Sequence, residues 1–146
     1  MKDESPGSSG PSASTVAGEA LQTFQRYTQA FQALDPKAVA RHFHEPSILI
    51  TPQGIRALST VAEVELEYGR IMADLPALGY AGTEFSELAE RQLSADLALV
   101  SGGGVWKKAT GESFMPFGMT YILKRSESTW RIVVAAIHDA DSKQRH

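Results

Sequence analysis

Residues 129–138, TWRIVVAAIH, are apolar on both sides of an extended chain. Side chains alternate along a strand. Trp130, Ile132, Val134, Ala136 and His138 therefore share one side, and Arg131, Val133, Ala135 and Ile137 the other. A strand that is apolar on both sides belongs in the interior of a sheet covered twice. One layer of helices covers a single face. The second face needs its own cover, and a second copy of the same sheet is the economical one.

The chain before this strand supplies the helices. Leu21, Phe24, Tyr27, Phe31 and Leu34 recur at steps of three and four, one face of a helix that starts near Val16. Asp35-Pro36 marks a break and a restart, with Asp as N-cap and Pro at the first helical position. A short second helix is predicted with Val39, Ala40 and Phe43 on one side, stopped by Pro46. SILI (47–50) reads as a strand and TPQG (51–54) as a turn. Thr60 and Glu63 form a capping box for a third helix. Its apolar stripe runs Val61, Val64, Tyr68, Ile71, Met72 and Leu75. Four long strands are then expected near 80–93, 96–107, 112–125 and 129–138. Helices followed by an antiparallel meander define an α+β domain with helices packed on a curved sheet. Gly102, Gly103 and Gly104, inside a strand, fit a bulge or sharp bend.

At 146 residues the chain suits one domain, expected over 16–140. Residues 1–15, rich in Ser, Gly and Pro, and residues 141–146 read as disordered tails. A net charge of −3 with no basic patch argues against nucleic acid as a partner. Without cysteine, thiolate chemistry and disulfides are excluded. No apolar run is long enough for a membrane span, and the N-terminus lacks the apolar core of a signal peptide. A cytoplasmic protein that does not engage membranes is the expectation. The glycine triplet lacks the Gly-Lys-Ser/Thr ending of a phosphate loop, and no cofactor is expected.

Two segments, ALDPKAVARHF…PSILITPQG and WRIVVAAIHD, carry a family resemblance. With the element order, they resemble the cone-shaped nuclear transport factor 2-like superfamily, which includes SnoaL-like cyclases and ketosteroid isomerases. The resemblance spans about residues 16–140. It implies a strongly curved, mostly antiparallel sheet wrapped around three N-terminal helices. It further implies an apolar pocket between helices and sheet, and in many members a homodimer through the sheets. It implies no single activity. Ketosteroid isomerases use a helix tyrosine, an Asp base after the first strand and a protonated Asp on a later strand. Against that pattern Tyr27 falls on the tyrosine, within QRY, Thr51 on the base and Gly118 approximately on the acid. Thr has no titration near neutral pH, so ketosteroid isomerisation is rejected.

Three readings follow. The first is a dimeric binding domain for a small apolar molecule, with Tyr27 and Thr51 as polar handles. Phe31, Phe43, Tyr68, Met72, Met115 and Phe117 would form its wall. Met115, Phe117, Met119 and Tyr121 alternate onto one side, which lines a cavity if concave and an interface if convex. The second is an isomerase, cyclase or dehydratase acting on a polyketide- or terpenoid-like substrate, with Tyr27 as donor. A pocket histidine, His44 or His138, would move the proton. The third is a non-catalytic association module, whose cavity would be filled. Arg56 is a candidate for an anionic ligand. A metal would need His42, His44 and a third ligand such as His138 or Asp139, and none is expected.

Overall fold

The computed structural model describes residues 11–139, with side chains from residue 18 onward. Of the tails expected at 1–15 and 141–146, residues 1–10 and 141–146 lie outside the described residues. Helix α1 spans Pro11–Gln32, so it starts before Val16, with Pro11 at its first position. Helix α2 is Pro36–Ala40, and the Asp35 side chain accepts a hydrogen bond from the Ala38 N–H. Strands β1 (Phe43–Thr51) and β2 (Gly54–Leu58) form a hairpin around residues 52–53. Helix α3 is Val61–Ala73. The meander follows as β3 (Tyr80–Ser94), β4 (Leu97–Lys108), β5 (Ser113–Ser126) and β6 (Thr129–His138).

The six strands form one curved, unclosed sheet in the order β2-β1-β6-β5-β4-β3. Only β1 and β6 run parallel; every other pair is antiparallel. The helices pack on the concave side. Phe24, Phe43, Leu75, Met119, Leu123 and Ile132 are among the fully buried side chains there.

Strand β1 starts earlier than the local pattern predicts. Phe43 does not end the second helix; it pairs with Ile132 of β6, and the Ile132 N–H donates to the His42 carbonyl at 2.8 Å. Pro46 sits inside β1 and does not terminate a helix. The ladder to β6 is irregular between Phe43 and Ile48, where a residue lacking an N–H can be accommodated.

Strand β6 does not alternate uniformly either. Leu123 faces Ile132 and Ile122 faces Val134, which leaves Val133 as an extra residue. The bulge reverses the phase. Trp130 and Ile132 are buried, and past the bulge Ala135 and Ile137 take over the concave side. Val134, Ala136 and His138 point outward. The glycine-linked bend likewise has its extra residue on the neighbouring strand. Ser86 pairs with Gly103 and Ala89 with Ser101, so Glu87 and Leu88 oppose Gly102 alone. Glu87 takes a left-handed conformation, φ 54°. A Cβ on Gly102 would lie 3.0 Å from the Ser86 carbonyl oxygen and 3.1 Å from the Leu88 Cα.

Candidate functional site

A cavity of about 250 Å³ lies between the helices and the concave sheet. Helix α1 contributes Phe24, Tyr27, Thr28 and Phe31, spaced three, four and seven residues apart on one face. Helix α3 adds Tyr68 and Ile71. Strand β5 supplies Phe117, Met119 and Tyr121, all on its concave side. Leu49, Thr51 and Gln53 of the β1–β2 hairpin complete the lining with Thr83, Phe85, Trp106 and Ile137. The rings pack against one another. Phe24 meets Tyr121 edge-on at 5.0 Å, and Phe31 stacks on Trp106 at 6.2 Å. Gly104 packs against this wall, because a Cβ there would come within 2.6 Å of the Phe117 ring.

Three tyrosine hydroxyls meet in the cavity. Tyr27 Oη is 2.7 Å from Tyr121 Oη and 3.1 Å from Tyr68 Oη. Burial pushes Tyr121 up to about 12, and raises Tyr27 and Tyr68 well above the ordinary phenol value. For Tyr27 and Tyr68 the neighbouring phenols add to the shift, because ionising one disfavours ionising the next. All three are therefore neutral near physiological pH and act as hydrogen-bonding groups, not bases. None of the residues that line this cavity is a carboxylate, His, Lys or Arg.

Of the residues expected in the wall, Tyr27, Phe31, Thr51, Tyr68 and Phe117 line the cavity. Phe43 and Met72 are buried but do not line it. The Phe43 ring backs the triad, 5.8 Å from Tyr27 and 5.5 Å from Tyr68. Met115 pairs with Trp106 and is 46% exposed, outside the lining. Neither histidine candidate reaches the cavity. His44 Nδ1 lies 3.0 Å from the Pro46 carbonyl oxygen. His138 is on the convex side, its Nε2 3.3 Å from Thr120 Oγ1 and its ring over Gly118. Gly118 thus faces away from the cavity, and Met119 occupies the neighbouring inward position. Among the described residues no three His, Cys, Asp or Glu side chains gather as a metal site needs. Among them, too, no helix is long and apolar enough to cross a membrane.

Sequence reasoning passed over Phe24, Thr28, Ile71 and Phe85 as lining residues. Phe24 and Ile71 sit three residues from Tyr27 and Tyr68, and Thr28 four residues from Phe24, which is the spacing that marks them. Phe85 has no such local mark.

A second hollow adjoins the cavity and shares Leu49, Thr51, Gln53 and Ile71 with it. Its remaining walls are Gly54, Ile55, Arg56 and Glu67. Glu67 is nearly buried between two guanidinium groups, 2.7 Å from Arg70 Nη2 and 3.4 Å from Arg56 Nε.

The cone-shaped sheet, the three helices and the cavity between them define the class to which the chain belongs. Residues 18–140 match the model of the NTF2-like protein family DUF6841, and the chain is a member of it. Solved structures agree on the fold. An NTF2-like protein with a cystatin-like fold from Novosphingobium aromaticivorans superimposes with a TM-score of 0.71 at 16% identity, covering 93% of this chain and 94% of its own. Aln2 from a Streptomyces species gives 0.71 at 15% identity, over 94% and 97%. An NTF2-like protein of unknown function from Shewanella oneidensis gives 0.67 at 19% identity, over 84% and 98%. No curated protein matches the sequence.

Proposed function

We propose that this protein binds a small, mainly apolar molecule carrying one acceptor oxygen, such as a ketone. The observation that carries the reading is the tyrosine triad. Three hydroxyls hold three protons, and the two bonds among them use two. One O–H is left to donate, in an otherwise apolar cavity, and the chain of hydroxyls polarises it. The cavity volume sits just below the usual range of ~300–1,000 Å³ for ligand pockets, which suits a small occupant.

The open cavity weighs against a pure association module, whose interior would be packed. The absence of a titratable carboxylate or histidine from the lining weighs against proton-transfer catalysis. The protein in this reading is a binder that works as a homodimer through its convex sheet face.

The test is a matched ligand pair, 2-acetonaphthone and 2-ethylnaphthalene, titrated into wild type and the triple variant Tyr27→Phe/Tyr68→Phe/Tyr121→Phe, because any single replacement still leaves a spare O–H. One net hydrogen bond contributes about 1 kcal/mol, or roughly fivefold in affinity. The ketone is expected to bind more tightly to wild type, and to lose that advantage in the variant. Equal affinity of both ligands for wild type removes the donor from the reading; binding of neither removes the cavity.

A further inference from the structure

Resting on that cavity, we infer that the ligand is amphipathic and that an anionic head group is held by Arg56 at the cavity mouth. The apolar chamber and the neighbouring hollow share four wall residues, so one molecule can occupy both. Their chemistry changes across the shared wall. The inner chamber is aromatic and uncharged; the outer one contains Arg56 and Glu67.

The charge pattern selects the sign of the head group. Glu67 is an acid on which two guanidinium groups converge, so the Arg56–Glu67–Arg70 group carries a net single positive charge. A cationic ligand would have to compete with both arginines for a carboxylate already held. An anion meets Glu67 as a like charge, but that carboxylate is already neutralised by two guanidinium groups. The Arg56 nitrogen that meets Glu67 is Nε, at 3.4 Å, and among the described residues neither Nη makes a hydrogen bond. The ion pair therefore orients the guanidinium and leaves its fork free for a carboxylate, sulfonate or phosphate. Arg56 remains 59% exposed at its side chain, so the head group stays partly hydrated while the body is buried. Gln53, common to both chambers, places an amide beside the path.

The probes are 1-anilinonaphthalene-8-sulfonate and N-phenyl-1-naphthylamine, the same ring system without the sulfonate. Fluorescence titrations compare wild type, Arg56→Gln, Arg56→Lys and Thr51→Phe, the last closing the neck between the chambers. The expected result is that Arg56→Gln weakens the sulfonate about fivefold or more and leaves the neutral dye within about twofold. Arg56→Lys retains part of the sulfonate affinity, and Thr51→Phe weakens both dyes. Decanoate and decyl phosphate then compete, and the stronger competitor identifies the carboxylate or the phosphate as the head group. Loss of both dyes equally in Arg56→Gln, no loss of the sulfonate, or sulfonate binding that survives Thr51→Phe overturns the head-group site. So does displacement by decan-1-ol as effective as by either anion. If wild type binds neither dye, the cavity reading itself fails, which separates the two failures.

Discussion

Tyr27 Oη lies 2.7 Å from Tyr121 Oη, joining the first helix to the fifth strand through two buried phenols. Tyr27 also meets Tyr68 of the third helix, so it is the centre of the triad. Tyr27→Phe breaks both bonds and leaves two hydroxyls short of a partner. Tyr68→Phe or Tyr121→Phe breaks one. Stranding a buried polar group costs about 1–3 kcal/mol, against about 1 kcal/mol for one lost net bond. The expected order of destabilisation in urea unfolding is Tyr27→Phe above the other two. Equal losses for all three would mean that Tyr27 is not the hub.

The same burial sets an alkaline limit. All four tyrosines of the chain have raised values, Tyr80 through partial burial and the triad through full burial. Above the unfolded phenol value of about 10 the unfolded chain loses protons that the native state keeps, so stability falls as pH rises. The tyrosine contribution is level below that value and declines through the range up to about 12, the Tyr121 value. Tyrosinate absorbance should therefore stay low in the folded protein at pH values where free tyrosine ionises, then rise together with unfolding seen by circular dichroism. A normal titration without unfolding would contradict the burial of the triad.

How far these features were legible from sequence depends on whether they are local. The α1 face, the Asp35 cap and the Thr60 cap use residues within one or two turns, and their spacing reports them. The β1 boundary does not. Phe43 sits in a strand because Ile132, far along the chain, pairs with it. The Val133 bulge is equally invisible, since a single extra residue reverses inside and outside without changing composition. That reversal puts His138 on the convex side, where uniform alternation would set it beside Ile132. Tyr27 and Tyr68 were readable as lining residues because they fall on inward faces of helices with clean periodicity, whereas Thr51, read as the start of a turn, was marked only by the family resemblance.

Two glycines on facing strands make a contrast. A Cβ at Gly104 would lie 2.6 Å from Phe117 Cζ, and at Gly118 2.5 Å from His138 Cε1. Phe117 is held in the cavity wall beside Trp106, so its ring cannot retreat freely. His138 is exposed at the end of β6 and can swing away. Gly104→Ala is expected to cost about 1–3 kcal/mol and to narrow the cavity. Gly118→Ala should stay within about 0.5–1 kcal/mol. Equilibrium unfolding of both variants, with dye binding as a second readout, checks the ordering.

The start of α3 is fixed from three sides. Thr60 Oγ1 accepts from the Glu63 N–H at 3.2 Å, and Glu63 Oε1 accepts from the Ser59 N–H at 2.7 Å. Glu45, on β1, accepts from the Val61 N–H at 2.6 Å. This last bond ties the helix to the strand and places a negative charge at the positive end of the helix dipole. Thr60→Ala and Glu45→Ala are each expected to destabilise by about 1 kcal/mol. Glu45→Gln should retain part of the effect, since the amide oxygen still accepts. If Glu45→Ala is silent in thermal unfolding, the cross-element cap contributes nothing.

The outer face of the sheet carries the last prediction. Leu99, Ile122, Val134 and Ile48 lie side by side across β4, β5, β6 and β1, each paired with the next. Ser101, Thr120, Ala136 and Ile50 form the row beside them. The helices cover the concave side, so among the described residues nothing covers the apolar row. Ile48 is 38% exposed there. A second sheet related by a two-fold axis would bury both rows, with like residues meeting across the axis. Sedimentation should give a dimer for wild type. Ile122→Lys, in the middle of the row, should shift it to monomer while leaving the Tyr27–Tyr121 bond and its alkaline signature in place. A wild-type monomer, or an Ile122→Lys variant that remains dimeric, would exclude this face as the interface.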